Sequence, residues 1–221
     1  MPGRYKEHRL KAGRLGPREM LICLARAGRF RDEETDEHVQ RMSRTCELIA
    51  GELGLGARLC ANLRIASALH DIGKIGVPDS VLHKPGPLAR GERAIIERHV
   101  EIGHWILSGS DDRTTQLAAM IAVTHHEHVD GGGYPSGLRG GRIPLEGRIA
   151  AVADVFDALT HDRVYRPAMS LEDAMVVLSD GRGTHFDPQV LDAFEAALAQ
   201  VLELRGSYPE RSRTFVTLPS G

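Results

Sequence analysis

Val39, Met42, Cys46, Ile49 and Leu53 recur at alternating intervals of three and four, which predicts a helix over 39–53 that stops in the region of Gly54 to Gly56. A shorter periodic segment precedes it, from Arg18 to Ala27. Leu59, Leu63, Ala66 and Leu69 stripe a further helix ending at Gly73. Ile95, Ile96, Ile102 and Ile106 stripe another, and Leu117, Ile121 and Thr124 the one after. Strand-like alternation is nearly absent. Between His128 and Gly147 the chain turns glycine-rich with two prolines, too irregular for a helix and too long for a simple turn, which predicts a shaped functional loop. Ile149, Val152, Phe156 and Leu159 then form another helical face, followed by helices near 171–179 and 188–204. The expected fold is all-α, a helical bundle without internal repeats.

The 221 residues suit one domain rather than two. A net charge of -2 excludes a global field for nucleic-acid backbones or anionic membranes, so any phosphate binding must be local. No apolar run approaches the ~20 residues of a membrane-spanning helix, and the Arg-rich start lacks the apolar centre of a signal peptide. A cytoplasmic protein is expected, with no membrane or DNA and RNA polymer as partner. Cys23, Cys46 and Cys60 are odd in number and lack a Cys-x-x-Cys spacing, and are read as reduced packing residues. Residues 1–30 are expected to be a leader with one short helix, 31–205 a catalytic domain and 206–221 a polar tail. The short leader suits either a stand-alone enzyme or an excised domain.

Eleven histidines change the picture, because several cluster with Asp. Glu34 and His38 are four apart, so they share a side if the helix over 39–53 begins a turn earlier. Alone, that pair is better explained by an acidic first turn that stabilises the helix dipole and a solvated histidine. His70 and Asp71 close an apolar helix in Ala68-Leu69-His70-Asp71-Ile72-Gly73-Lys74, before a glycine that allows a sharp turn; a charged pair buried there requires a partner. His99 falls on the inward stripe of its helix. His125 and His126 form a doublet at a helix end. Asp154 falls off its apolar stripe, on a face with Ala150, Asp157 and His161 that taken singly reads as solvent-facing. As a set these residues supply N and O donors from several helices that could converge in one bundle. Imidazole and carboxylate without thiolate suit iron, manganese or zinc. His8, His83, His104, His128 and His185 are read as exposed or packing residues.

These residues carry a resemblance. His70-Asp71 resembles the signature of the HD phosphohydrolase superfamily, and His125-His126-Glu127 through Asp130-Gly131 to Gly133-Tyr134-Pro135 resembles its HD-GYP subfamily. The likeness continues through Gly137-Leu138, Ile143-Pro144, Arg148-Ile149, the run Asp154 to Leu159, Asp162-Arg163 and Phe186-Asp187-Pro188, over about residues 30 to 200. It implies an HD-type helical bundle with a Gly-rich GYP loop, and hydrolysis of cyclic di-GMP to linear pGpG, to GMP, or to both. It also implies metal ligation by His70, Asp71, His99, His125, His126 and Asp154, with Glu34 and His38 as additional ligands where a third metal is held. Two or three divalent ions, iron or manganese, would be the cofactors. Asp71 and Lys74 would be catalytic, and Lys74, Tyr134, Arg163 and Arg166 would contact substrate. Arg163 and Arg166 are otherwise explained as solvated arginines near a helix end, and Tyr134 as a packed anchor of its loop. Hydrolysis of cyclic GMP-AMP, or a non-catalytic nucleotide-binding or GGDEF-binding module, are the alternatives; GGDEF-domain proteins and a second copy of the chain are the further partners. Asp36, Gly132 and His161 depart from the family pattern. Asp36 adds a carboxylate near Glu34 and His38, which puts the third metal in doubt.

Overall fold

A computed structural model describes residues 16–28, 31, 36–162 and 167–207, the side chains of 205–207 excepted. The helices among these residues are α1 (Pro17–Gly28), α2 (Asp36–Glu52), α3 (Ala57–Ser67), α4 (Asp79–Leu82), α5 (Arg90–Glu97), α6 (His99–Leu107), α7 (Arg113–Thr124), α8 (Leu145–Thr160), α9 (Leu171–Asp180) and α10 (Pro188–Ser207). Short 3-10 turns lie at Ile72–Gly76 and Gly140–Arg142. The expected all-α fold is present: the only β pairing among the described residues is two isolated bridges, Asp130 with Arg139 and Arg182 with Phe186. No helix among them is long and apolar enough to cross a membrane.

The stripes become the core. α2 packs on α3, α8 and α10, and α7 on α3, α6 and α8. Met42 and Ile49 of α2, Leu63 of α3, Ile121 of α7, Ile149 of α8 and Phe194 of α10 are all buried in one cluster. Burial of each such side chain is worth ~1.5–3 kcal/mol before chain entropy is subtracted. Local signals set the ends. α2 stops where Gly54 adopts φ 75° and Leu55 N donates to the Ala50 carbonyl. The Asp112 side chain caps α7 by accepting from Thr115 N, and Ser170 caps α9 by accepting from Asp173 N.

Four expectations are corrected. The stripe from Ile95 to Ile106 is two helices broken at Arg98, and Ile95 is exposed, because α5 makes few contacts and only α6 lies against α7. α3 ends at Ser67, so His70 and Asp71 occupy the turn beyond it rather than closing the helix. Gly73 is needed for close approach rather than for a sharp turn: a Cβ there would stand 1.9 Å from the His99 carbonyl oxygen and 2.4 Å from Gly103 N. Cys23 is exposed on α1, whereas Cys46 and Cys60 are buried free thiols as expected.

Candidate metal centre

Five elements deliver the clustered donors. His38 lies in the first turn of α2, His70 and Asp71 in the turn after α3, His99 at the start of α6, His125 and His126 just past α7, and Asp154 in the middle of α8. The face of Asp154 is not solvent-facing, since Ala150 and Asp157 on it are buried against α2. The contact at Gly73 seats α6 directly on the turn, which brings His99 to Asp71. Two sets result, each with its ligand atoms within 4.8 Å of one another: Asp71, His99, His125 and His126 in one, His38, His70 and Asp154 in the other. They adjoin, with His70 Nε2 3.4 Å from Asp71 Oδ2 and 4.0 Å from Asp154 Oδ1.

The outer ring nitrogens decide what the inner ones can do. His70 Nδ1 lies 3.0 Å from the Ser67 carbonyl and His99 Nδ1 2.7 Å from that of Ile96. His125 Nδ1 lies 3.1 Å from the carbonyls of Ile121 and Ala122, and His38 Nδ1 2.8 Å from Asp157 Oδ2. Carbonyl and carboxylate oxygens only accept, so each Nδ1 carries the proton and each neutral ring presents a lone pair at Nε2. Burial lowers the pKa of His125, and burial with the neighbouring His125 holds His126 well below its ordinary value, so both rings are neutral near pH 7. Burial would raise Asp71, but the Lys74 ammonium, 2.6 Å from its Oδ2, holds it well below the usual carboxylate range. Among the described residues, Nε2 of His99, Nε2 of His125 and Oδ1 of Asp71 are buried without a hydrogen-bond partner. Such atoms cost about 1–3 kcal/mol each if left so. A divalent cation among them removes that cost, and an imidazole and carboxylate donor set fits one of borderline hardness.

The surroundings shape the mouth. Tyr134 stacks on His126 with ring centroids 4.9 Å apart, and its backbone N donates to the His126 carbonyl. Burial, then Asp71 and Glu97, push its phenol upward, so it stays protonated. Glu127, 3% exposed, accepts from Ser136 N at 2.8 Å and Leu138 N at 2.9 Å and so clamps the Gly-rich loop from beneath. A Cβ on Gly133 would lie 2.4 Å from the His126 carbonyl oxygen, so only glycine lets the loop close there. Reading the sequence assigned no role to Glu127, Arg41 or Asp157. Glu127 could have been found from its place between the doublet and the loop, whereas Asp157, on the face of Asp154, has the pattern of a solvated residue. Arg41 leaves no signal, because periodicity cannot separate a buried arginine from a surface one.

Glu34, Arg163 and Arg166 lie outside the described residues. Lys74, 2.6 Å from Asp71, and Tyr134, stacked on His126, lie beside the first set. His128 and His185 meet as a tilted ring pair, centroids 3.7 Å apart, and join neither set.

A model of the HD domain matches residues 23–190. The cyclic di-GMP phosphodiesterase response regulator RpfG of Xanthomonas campestris is 46% identical over 195 residues, covering 88% of this chain and 52% of that protein. A 3'3'-cGAMP-specific phosphodiesterase of Vibrio cholerae is 42% identical, covering 87% of this chain and 37% of that protein. The chain thus spans about half the length of these relatives, or less. In fold it resembles the crystal structure of a cyclic GMP-AMP-specific phosphodiesterase of V. cholerae, with TM-score 0.63 at 23% identity over 86% of this chain and 50% of that one. The chain belongs to the HD domain family.

Proposed function

We propose that residues 31–205 form a metal-dependent phosphodiesterase domain that hydrolyses cyclic di-GMP to linear pGpG, GMP or both, in the cytoplasm. The observation that carries this reading is the pair of adjoining donor sets with Nε2 atoms turned inward. Asp71, His99, His125 and His126 would hold one divalent ion and His38, His70 and Asp154 another, iron or manganese, with Glu34 and His38 as the additional ligands where a third ion is held. Such ions supply neutralising charge for a phosphodiester and lower the pKa of water.

The chain's own residues supply the rest. Lys74 Nζ stands beside Asp71, where its charge can meet a phosphate oxygen and its proton can pass to the leaving ribose oxygen. Tyr134, fixed on His126, offers a ring face for a base and a phenol that donates. Arg163 and Arg166 are assigned phosphate contacts through the family resemblance alone, as are GGDEF-domain partners. Self-pairing through α1 is supported by its exposed Met20 and Ile22.

Relatives named for cyclic di-GMP and for cyclic GMP-AMP are nearly equally similar, which keeps the mixed dinucleotide as the second substrate reading. The test is parallel hydrolysis of both by manganese- or iron-loaded protein, with products separated by chromatography. Faster turnover of cyclic di-GMP is expected. Preference for cyclic GMP-AMP would transfer the assignment, and binding without turnover of either would make the domain a nucleotide-binding module.

A further inference from the structure

His38 differs from the other imidazoles in what holds its outer nitrogen. His70, His99 and His125 donate Nδ1 to neutral backbone carbonyls, whereas His38 donates to the Asp157 carboxylate. That carboxylate is clamped in its turn: Arg41 donates Nε to Oδ1 at 2.7 Å and Nη2 to Oδ2 at 2.9 Å, a bidentate geometry that fixes the carboxylate plane. Arg41 is 2% exposed and Asp157 5%, so neither is a surface charge that happens to meet the other. His161 Nδ1 stands 3.3 Å from Asp157 Oδ1, on the same carboxylate.

A carboxylate behind an imidazole fixes its tautomer and raises the basicity of the far nitrogen. Here the far nitrogen, His38 Nε2, faces Asp154 Oδ1 at 3.7 Å, and that oxygen lies 4.0 Å from His70 Nε2. Among the described residues this set has two imidazoles and one carboxylate, against three and one in its neighbour. The charged support therefore stands behind the set with fewer donors. A strut between α2 and α8 would account for the Arg41–Asp157 pair alone, but not for the His38 proton resting on the same Oδ2 that Arg41 holds.

We infer that Asp157, locked by Arg41, is a positioning residue that aims His38 at Asp154 and His70 and strengthens it as a donor, giving this set a divalent-cation affinity separate from that of the Asp71 set. The inference rests on the metal reading proposed above. Its test is titration of metal-stripped protein with Mn2+, with free ion counted by electron paramagnetic resonance, alongside thermal unfolding of each metal-free variant. Wild type is expected to show two classes of site, and Asp157→Asn to weaken one class ~10–100-fold while leaving the other unchanged. Because that variant leaves Arg41 buried without its counter-charge, the double variant Arg41→Gln with Asp157→Asn is measured too and is expected to show the same selective loss. Retention of both classes, equal weakening of both, or failure of both variants to fold would assign the pair to a strut and overturn the inference. Wild type that takes up no Mn2+ would instead overturn the metal reading itself.

Discussion

His99 Nε2 lies 3.0 Å from Asp71 Oδ1, although the Nδ1 proton of His99 is already given to the Ile96 carbonyl. Both atoms are buried without a hydrogen-bond partner among the described residues, a cost that a bound cation removes. A cation bound with its concentration a thousandfold above Kd stabilises by about 4 kcal/mol, roughly 10 °C for a domain of this size. Mn2+ is expected to raise the thermal midpoint of stripped wild type by that order. His99→Ala should start from a higher metal-free midpoint relative to its packing loss and respond less to Mn2+, as read by scanning calorimetry.

Glu127 spends its carboxylate on two backbone N–H groups of the Gly-rich loop. Glu127→Ala leaves Ser136 and Leu138 without their acceptor and is expected to cost about 2–4 kcal/mol. Denaturant unfolding measures the loss. Hydrogen exchange should quicken at those two amides first, and turnover should fall as Tyr134 loses its seat on His126.

Glycines at two positions predict opposite signs. Gly73→Ala drives a Cβ into the His99 carbonyl and Gly103 N, both backbone, and should destabilise by at least about 1–3 kcal/mol while weakening metal binding at the Asp71 set. Gly51→Ala, on exposed α2 surface with nothing within 4 Å, should stabilise by ~0.5–1 kcal/mol and leave metal binding alone. Equilibrium unfolding of both variants checks the contrast.

The core helices were legible because they bury one apolar face, as Val39, Met42, Cys46 and Ile49 do in α2. The break at Arg98 was not, since Ile95 and Ile96 continue the helical period although α5 is splayed off the core. His70, Asp71, His125 and His126 stood out as polar residues at the ends of apolar runs. Asp154 and Asp157 did not, because a polar face turned toward another polar cluster has the same pattern as one turned toward water. Convergence of five elements is a tertiary fact, and Gly73, which makes the closest of those contacts, reads as an ordinary turn glycine.

Acid should unfold the metal-free protein in two stages. Burial and the neighbouring His128 depress His185 from 6.5 to about 4, so its contribution is present above pH 6.5 and is lost as pH falls toward 4. Burial would raise Asp157, but His38 and Arg41 bring it from 3.8 down to about 2, so its contribution is present above pH 3.8 and is lost between there and pH 2. The Asp157 part is on the order of 2 kcal/mol. Stability measured against pH for His185→Phe should show a smaller upper stage, to which the buried His125 and His126 also contribute, with the lower stage unchanged, and an unchanged upper stage would contradict that assignment.

The central claim is that the inward-turned donors hold metal and that the metal-loaded centre cleaves a cyclic dinucleotide. Metal analysis and product chromatography on one sample, purified anaerobically with iron or manganese and then given cyclic di-GMP, test it most directly. Two or more ions per chain together with pGpG or GMP, both lost in the double variant His70→Ala with Asp71→Ala, is the expected result. A metal-loaded protein that binds the nucleotide and never cleaves it would contradict the account.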